Sequence, residues 1–288
     1  MSTGLTLYSD ISARVNDIIE DSLAVARMAN VLLPTVTGLS ATGIMDRKVN
    51  AYSAISFAQA GEEDDTVAQK FEKSALSTLS PKIYRARVDI TDARAASDFD
   101  AELANAATEL GEAAARHIDV AIASNFSSLT GGTIGSAGTV ITWRHVTKGL
   151  AVLMNQGVPR GEPVFCALHP YQWEVLLASN SVAAATVAVA PQFQNELVAA
   201  PSFFTIPQFV GVVFVITNAI SVDGSDDAYG AIYARPAVAV DSRKPFDIRP
   251  QRNESRELTE LNSSMWYVAG AWRPAFGVAI LSDASTPS

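Results

Sequence analysis

The sequence predicts an α+β fold, and three segments carry that prediction. Residues 98–125 (DFDAELANAATELGEAAARHIDVAIASN) hold no proline and one internal glycine, so they read as a single long helix. The segment before them alternates apolar and charged residues as a half-buried strand does. From residue 231 onward the chain is dominated by strand-like runs.

In chain order, residues 1–45 form an N-terminal arm. Ile11, Val15, Ile18, Ile19, Leu23, Ala26 and Met28 are the buried positions of an opening amphipathic helix. Residues 32–41 (LLPTVTGLSA) are punctuated by proline and glycine and read as extended. A short helix that runs into an extended segment cannot bury its apolar side on itself, so it needs a neighbour in the same chain or another. Residues 46–92 read as a long hairpin, with AYSAISFA (51–58) leading out and the acidic run Glu62, Glu63, Asp64, Asp65 near the tip. Its return strand puts Tyr84, Ala86, Val88 and Ile90 on one face and Arg85, Arg87 and Asp89 on the other. A lone two-stranded ribbon is marginal in water. Arginines on its polar face and carboxylates at its tip would let one subunit's tip meet a neighbour's strand, although the usual fate of a charge run is a solvated loop.

The helix over 98–125 would be about 42 Å long at 1.5 Å per residue. Phe99, Leu103, Ala106, Leu110 and Ala113 line one face, and Asp98, Glu102, Asn105, Glu109, Glu112, Arg116 and Asp119 form a polar stripe. Ala104, Ala107, Gly111, Ala114 and Ala115 make a third face that lets other backbone come close. A rod of this kind suits packing on several sides better than lining a substrate pocket. LTGGTIGSAG (129–138) then reads as a flexible connection, 143–156 as a helix, 164–169 as a buried strand and 170–179 as a helix opened by Pro170. With a strand at 212–217 and a turn at 221–227, residues 145–230 make a compact α/β subdomain. The tail adds strands at 231–240, 246–250, 264–272 and 275–281, expected to pack beside the long helix.

Composition excludes more than it identifies. A net charge of −9 opposes unspecific attraction to nucleic acid or anionic membrane, and no Lys or Arg occurs between Arg160 and Arg235. Hydrophobic residues at 48% give ample core, while charged residues at 18% suggest either surface buried between subunits or simple alanine richness. The single cysteine excludes an internal disulfide framework and fits a reducing compartment. Asp10, Asp17, Glu20 and Asp21 interrupt any early apolar run, so no signal peptide is expected and the Asn-x-Ser/Thr sites carry no message. The uncharged stretch 197–222 contains Pro201, Pro207 and Gly211, and reads as strand and loops, not a membrane span.

No active site emerges. Cys166 and His169 lie three apart, which would suit a cysteine hydrolase or half a metal site, but on a strand they face opposite ways. His117 and His145 have no ligand-spaced partner. The glycines at 131, 132, 135 and 138 follow a helix and precede no Gly-Lys-Ser/Thr, unlike a phosphate loop. Residues 62–65, and Asp223, Asp226 and Asp227, lack the spacing of a calcium loop. No cofactor and no metal is expected.

The order of parts resembles the major capsid proteins of tailed bacteriophages, with the fold first seen in the Hong Kong phage. VFCALHPYQWEVLLAS (164–179) is similar to that family's strand ending in His-Pro before a helix, and SSMWYVAGAWRPAFGVAIL (263–281) to its final hairpin. The resemblance implies an N-terminal arm (1–45), an extended β-hairpin loop (46–92), a peripheral domain with spine helix and β-sheet (93–144, 236–288) and an axial α/β domain (145–235). It implies a structural, non-enzymatic subunit that self-assembles as pentamers and hexamers into an icosahedral shell around double-stranded DNA. Such a protein belongs to the virion capsid and is assembled in the host cytoplasm. Implied partners are other copies, a separate scaffolding protein, a portal protein and packaged DNA through weak contacts, with no membrane. Candidate inter-subunit contacts are Glu62, Glu63, Asp64, Asp65, Arg85 and Arg87 in the loop, and Arg252, Glu254, Arg256 and Glu257 in the segment 250–260. Asp223, Asp226 and Asp227 are expected at the rim of the axial domain or in a flexible loop. Lys48, Lys70, Lys73 and Lys82 align with no cross-linking role. An encapsulin-like nanocompartment shell is the alternative within the same fold, and the cysteine hydrolase the alternative outside it. A fibrous tail protein would show repeats, and the sequence has none of fixed period.

Overall fold

The computed structural model describes residues 29–32, 46–52, 73–159, 161–182, 203–205 and 211–287. Two sheets organise them. The smaller has four strands in the order β1 (Asn30–Leu32), β10 (Val238–Asn253), β11 (Leu258–Ala271), β4 (Lys82–Thr91), all antiparallel except the β1–β10 pair. The larger has six, in the order β5 (Thr133–Gly135), β12 (Gly277–Asp283), β9 (Asp227–Ala234), β6 (Val164–Leu168), β8 (Val212–Ile216), β7 (Phe203–Thr205). A separate ribbon pairs β2 (Arg47–Tyr52) with β3 (Lys73–Leu79). Three long helices complete the set: α1 (Asp92–Ala123), α2 (Trp143–Asn155) and α3 (Pro170–Val182).

The helix α1 starts six residues before the expected position because no linker separates it from the preceding strand. Thr91 ends β4 in extended backbone, and Asp92 occupies the first helical turn, where a carboxylate favours the helix dipole. At the other end, the side chains of Ser124 and Asn125 donate to the carbonyl of Ala121 and close the last turn. The small-residue face and Leu110 of the apolar face share the packing. Ala107, Leu110, Ala114 and Ala115 are buried against Ile90, Phe246, Ile248 and Leu261 of the small sheet. Asp119, assigned to the polar stripe, is buried as well.

α2 and α3 cover one face of the large sheet, where Trp143, Val146, Leu153, Trp173 and Leu176 meet Cys166, Phe214 and Ile232. Alternate residues of the same strands point the other way. Phe165, Val215 and Tyr233 join Ile122 and Phe126 from the end of α1, and Val238, Val240 and Tyr267 from the small sheet. One core therefore runs from sheet to sheet.

Several expectations change. The return strand read at 84–90 is present, but it pairs with β11 along its whole length; the strand read at 51–58 begins at Arg47 and pairs with β3. Residues 53–72, with the acidic run, lie outside the described residues, as do the opening helix and the extended stretch read at 32–41 beyond Leu32. The supposed flexible connection contains β5, parallel to β12, and Gly131 lies so close to Gly277 that a Cβ would stand 2.4 Å from its carbonyl oxygen. The run 231–240 is two strands in different sheets, broken by a 3₁₀ turn at Arg235–Ala237. The segment 263–281 is no hairpin either. Its halves are joined through the 3₁₀ turn Pro274–Phe276, and β12 completes the large sheet instead of packing beside α1. Proline explains both breaks, since it has no N–H to continue a ladder. Segment 250–260 is the end of a long β10–β11 hairpin with a tight turn at Glu254–Arg256.

Candidate inter-subunit surface

With α1 on one face of the small sheet, the alternation of strand side chains delivers the polar residues to the other. Cross-strand pairing arranges that open face in rows. They read Ile83–Trp266–Lys244, then Arg85–Ser264–Asp247, Arg87–Asn262–Arg249 and Asp89–Glu260–Gln251. Register shifts in β10 between Ser242 and Asp247, around Pro245, bend the strand there. The result is a groove of about 820 Å³ whose cationic lining comes from Arg85, Arg87, Lys244 and Arg249, with Ile83, Met265 and Trp266 as its apolar part.

The charges on this face are partly compensated within the chain. Arg87 makes a two-pronged contact with Asp89 (2.6 and 2.8 Å) and reaches Glu260 at 3.2 Å. Lys244 and Arg249 share one carboxylate, Asp247, at 2.8 and 3.0 Å. Hydrogen bonds from these cations hold the carboxyls of Asp89 and Asp247 below their ordinary range. Arg85 has no ion-pair partner among the described residues. The indole Nε1 of Trp266 is shielded from solvent, with no acceptor among the described residues.

At the hairpin turn, Arg252 grips Asp92 at the start of α1 with both arms of its guanidinium and also reaches Glu254 at 3.2 Å. That contact lowers the Asp92 carboxyl and raises Arg252 further. Glu257 adopts a left-handed conformation (φ 48°), and its carbonyl accepts the N–H of Asp92. Arg256 is exposed and close enough to act electrostatically on Asp89. Of the residues singled out in the sequence, Arg85 and Arg87 thus share the groove, while Arg252, Glu254 and Glu257 build the turn that caps α1. Lys244, Arg249 and Trp266 were not singled out. The alternation Asp247–Arg249–Gln251 could have revealed part of them, but the bend at Pro245 hides the periodicity.

Other candidates for chemistry dissolve. Cys166 is fully buried, and burial pushes its thiol far up, which removes the thiolate a nucleophile needs. His169 opens α3, where its ring nitrogen accepts the N–H of Tyr171 at 3.3 Å. Asp223 accepts from the N–H groups of Ser225 and Asp227 and so shapes its own turn. Asp227 is buried and accepts the N–H of Gly138 at 2.7 Å. Among the described residues no group of three or more metal-ligating side chains occurs, and no helix is long and apolar enough to cross a membrane.

The family described as phage capsid protein matches residues 75–280. No curated protein sequence matches the chain at a significant level. Among solved structures it is similar to the capsid of Ralstonia phage GP4 (TM-score 0.65, 13% identity, 92% of this chain and 90% of that one). It is also similar to the capsid of cyanophage P-SCSP1u (0.62, 13%, 90% and 87%). A virus-like particle from Pyrococcus furiosus shares the fold too (0.58, 10%, 95% and 99%).

Proposed function

Because the chain belongs to the phage capsid protein family, and is thus a structural capsid protein, we propose that it is the subunit from which an icosahedral head is built. In this reading copies associate as pentamers and hexamers into a closed shell that encloses double-stranded DNA. The observation that carries it is the extent of the family match, from within β3 to within β12, which takes in α1 and every strand of the two sheets but β1. The fold is shared with the virus-like particle, so the family match is what favours a phage head over a nanocompartment.

The proposed division follows the sheets. The small sheet with α1 serves as the peripheral domain, and the large sheet with α2 and α3 as the axial domain that meets its copies around symmetry axes. The stretch between Arg160 and Arg235 carries carboxylates and no Lys or Arg, so copies meeting around an axis must keep those like charges apart, at the rim of the contact. Residues 1–45 and 46–92, as arm and loop, together with the groove and the turn at Arg252 and Arg256, are the proposed contacts between copies. Arms ordered only by neighbours couple folding to assembly. A separate scaffolding protein and a portal complete the proposed partners, in the host cytoplasm before the virion is finished. DNA contacts are weak, as the net charge of −9 favours.

Negative-stain electron microscopy with light scattering tests the reading, on the purified chain alone and with a scaffolding protein encoded beside it. Closed shells of uniform diameter are expected in at least one condition. A stable monomer in both would overturn it, and tight, salt-sensitive DNA binding by the free subunit would contradict the weak-contact part.

A further inference from the structure

Independently of whether the chain builds a shell, we infer that a cleft between α1 and the small sheet is a binding site for a small single-ring phenol. The cleft exists because two facing positions are small. Ala113 on α1 and Ala86 on the helix-facing side of β4 are both exposed alanines. Larger side chains there would close the gap. With alanines it opens to solvent at the free edge of β4 and has a volume of about 180 Å³. Its floor is apolar, since Leu110 and Phe246 are buried and Met265 is half-buried. Tyr84 and His117 close one end, with their ring centres 4.4 Å apart.

Size and chemistry specify the occupant. A cavity of about 150 Å³ is enough for benzene. The 180 Å³ here therefore holds one ring with a small substituent and excludes a helix or a strand. The rings of Phe246 and Tyr84 and the thioether of Met265 favour an aromatic guest over an aliphatic one. One polar atom sets the rest. Tyr267 donates its hydroxyl hydrogen to the backbone carbonyl of His117 at 3.2 Å, and its oxygen lies 2.5 Å from Nδ1 of the same residue. A hydroxyl has a single hydrogen, so Nδ1 carries a proton and donates it, and the neutral ring keeps Nε2 as an acceptor. Nε2 faces away from Tyr267, and among the described residues no hydrogen bond engages it. The hydroxyl of Ser263, which also lines the cleft, is already given to the carbonyl of Ala86 at 2.8 Å. The group left free is an acceptor beside an apolar floor, so the matching guest has one ring and one donor. A phenol meets both conditions. A carboxylate has no hydrogen to give.

Fluorine NMR of 4-fluorophenol, titrated with the full-length chain at about pH 8 so that imidazole is neutral, tests this. Saturable line broadening is expected, with a dissociation constant on the order of 1 mM for so small a ligand. Fluorobenzene, the same ring without the donor, should bind about tenfold more weakly. His117→Phe keeps a ring at that end of the cleft and leaves the backbone carbonyl to Tyr267, and it should remove the tenfold preference. Ala113→Leu fills the mouth from an exposed helical position and should abolish saturable binding, with an unchanged urea midpoint as the check on folding. No saturable binding to the unsubstituted chain up to about 10 mM overturns the proposal. Binding that Ala113→Leu leaves intact overturns it too, by placing the phenol elsewhere. A preference for the phenol that survives His117→Phe overturns the role of Nε2, and with it the choice of a phenol. None of these outcomes depends on shell assembly, which the microscopy tests separately.

Discussion

At the scale of single residues, the buried polar groups do more for this fold than the residues that look reactive. Gln172 has no exposed surface, yet all its polar atoms are engaged. Its amide donates to the carbonyl of Ala228 and the hydroxyl of Ser282, both at 2.9 Å, and its oxygen accepts the N–H of His169 at 3.1 Å. One side chain therefore ties the start of α3 to β9 and β12. Gln172→Leu keeps the volume but strands three buried groups, and should cost about 2–4 kcal/mol. A lower urea midpoint at unchanged slope would show it; an unchanged midpoint would mean that water replaces the amide. Gly230 sits beside this network, and a Cβ there would lie 2.8 Å from the carbonyl oxygen of Ala167 and 3.2 Å from Gln172 Oε1. Backbone oxygen cannot swing aside, so Gly230→Ala should destabilise by about 1–3 kcal/mol. Cys166 makes the opposite case. With its thiol buried and its ionisation suppressed, a disulfide reagent should label it only at the rate of unfolding, and rapid labelling of native protein would contradict that burial.

At the scale of elements, the turn between β10 and β11 controls where α1 begins. Arg252 reaches back across 160 residues to Asp92, and the carbonyl of Glu257 takes the N–H of the same residue. Arg252 holds the carboxyl of Asp92 below its unfolded value, so this contribution is complete above about pH 4 and is lost as pH falls through the folded value. Asp92→Asn should therefore lower stability at pH 7 and shrink the loss on going to pH 3, read as the difference in urea midpoint between the two. An undiminished difference would place the acid sensitivity elsewhere. The pair is exposed, so added salt should weaken it. None of this was legible in the sequence, where 250–260 reads as a mixed-charge loop. Elements whose signals are local were legible. Pro170 marks the first turn of α3, and the run VFCAL marks a buried strand whichever sheet it joins. Pairing was not. The alternation of residues 84–90 gives the two faces of β4 correctly, but whether its partner is the strand before it or β11 depends on contacts about 170 residues away. The same holds for β12, whose apolar residues are buried among the large sheet's strands.

At the scale of the whole molecule, the two sheets are less separable than a peripheral and an axial domain suggest. Besides the passage from β4 through α1 to β5, the chain crosses between them at Arg235–Ala237 and at Pro274–Phe276, and these last two crossings are bonded to each other. The N–H of Trp272 donates to the carbonyl of Ala237 at 2.8 Å, and that of Arg273 to Pro236 at 3.2 Å. Beneath them Phe126 and Tyr233 pack with ring centres 5.6 Å apart, in the core that also holds Val238 and Tyr267. Separating the sheets would expose that core, so they should unfold as one cooperative unit. Four tryptophans allow the test, since Trp143 and Trp173 lie under the large sheet, Trp266 lies in the small one and Trp272 follows it. Replacing either pair by Phe leaves a reporter for the other side. The two reporters should give the same urea midpoint, and Phe126→Leu, at the junction, should lower both equally, by about 1–3 kcal/mol. Two separate midpoints, or a shift in one reporter alone, would show that the sheets fold independently. Load applied to either sheet is then resisted by the core of both.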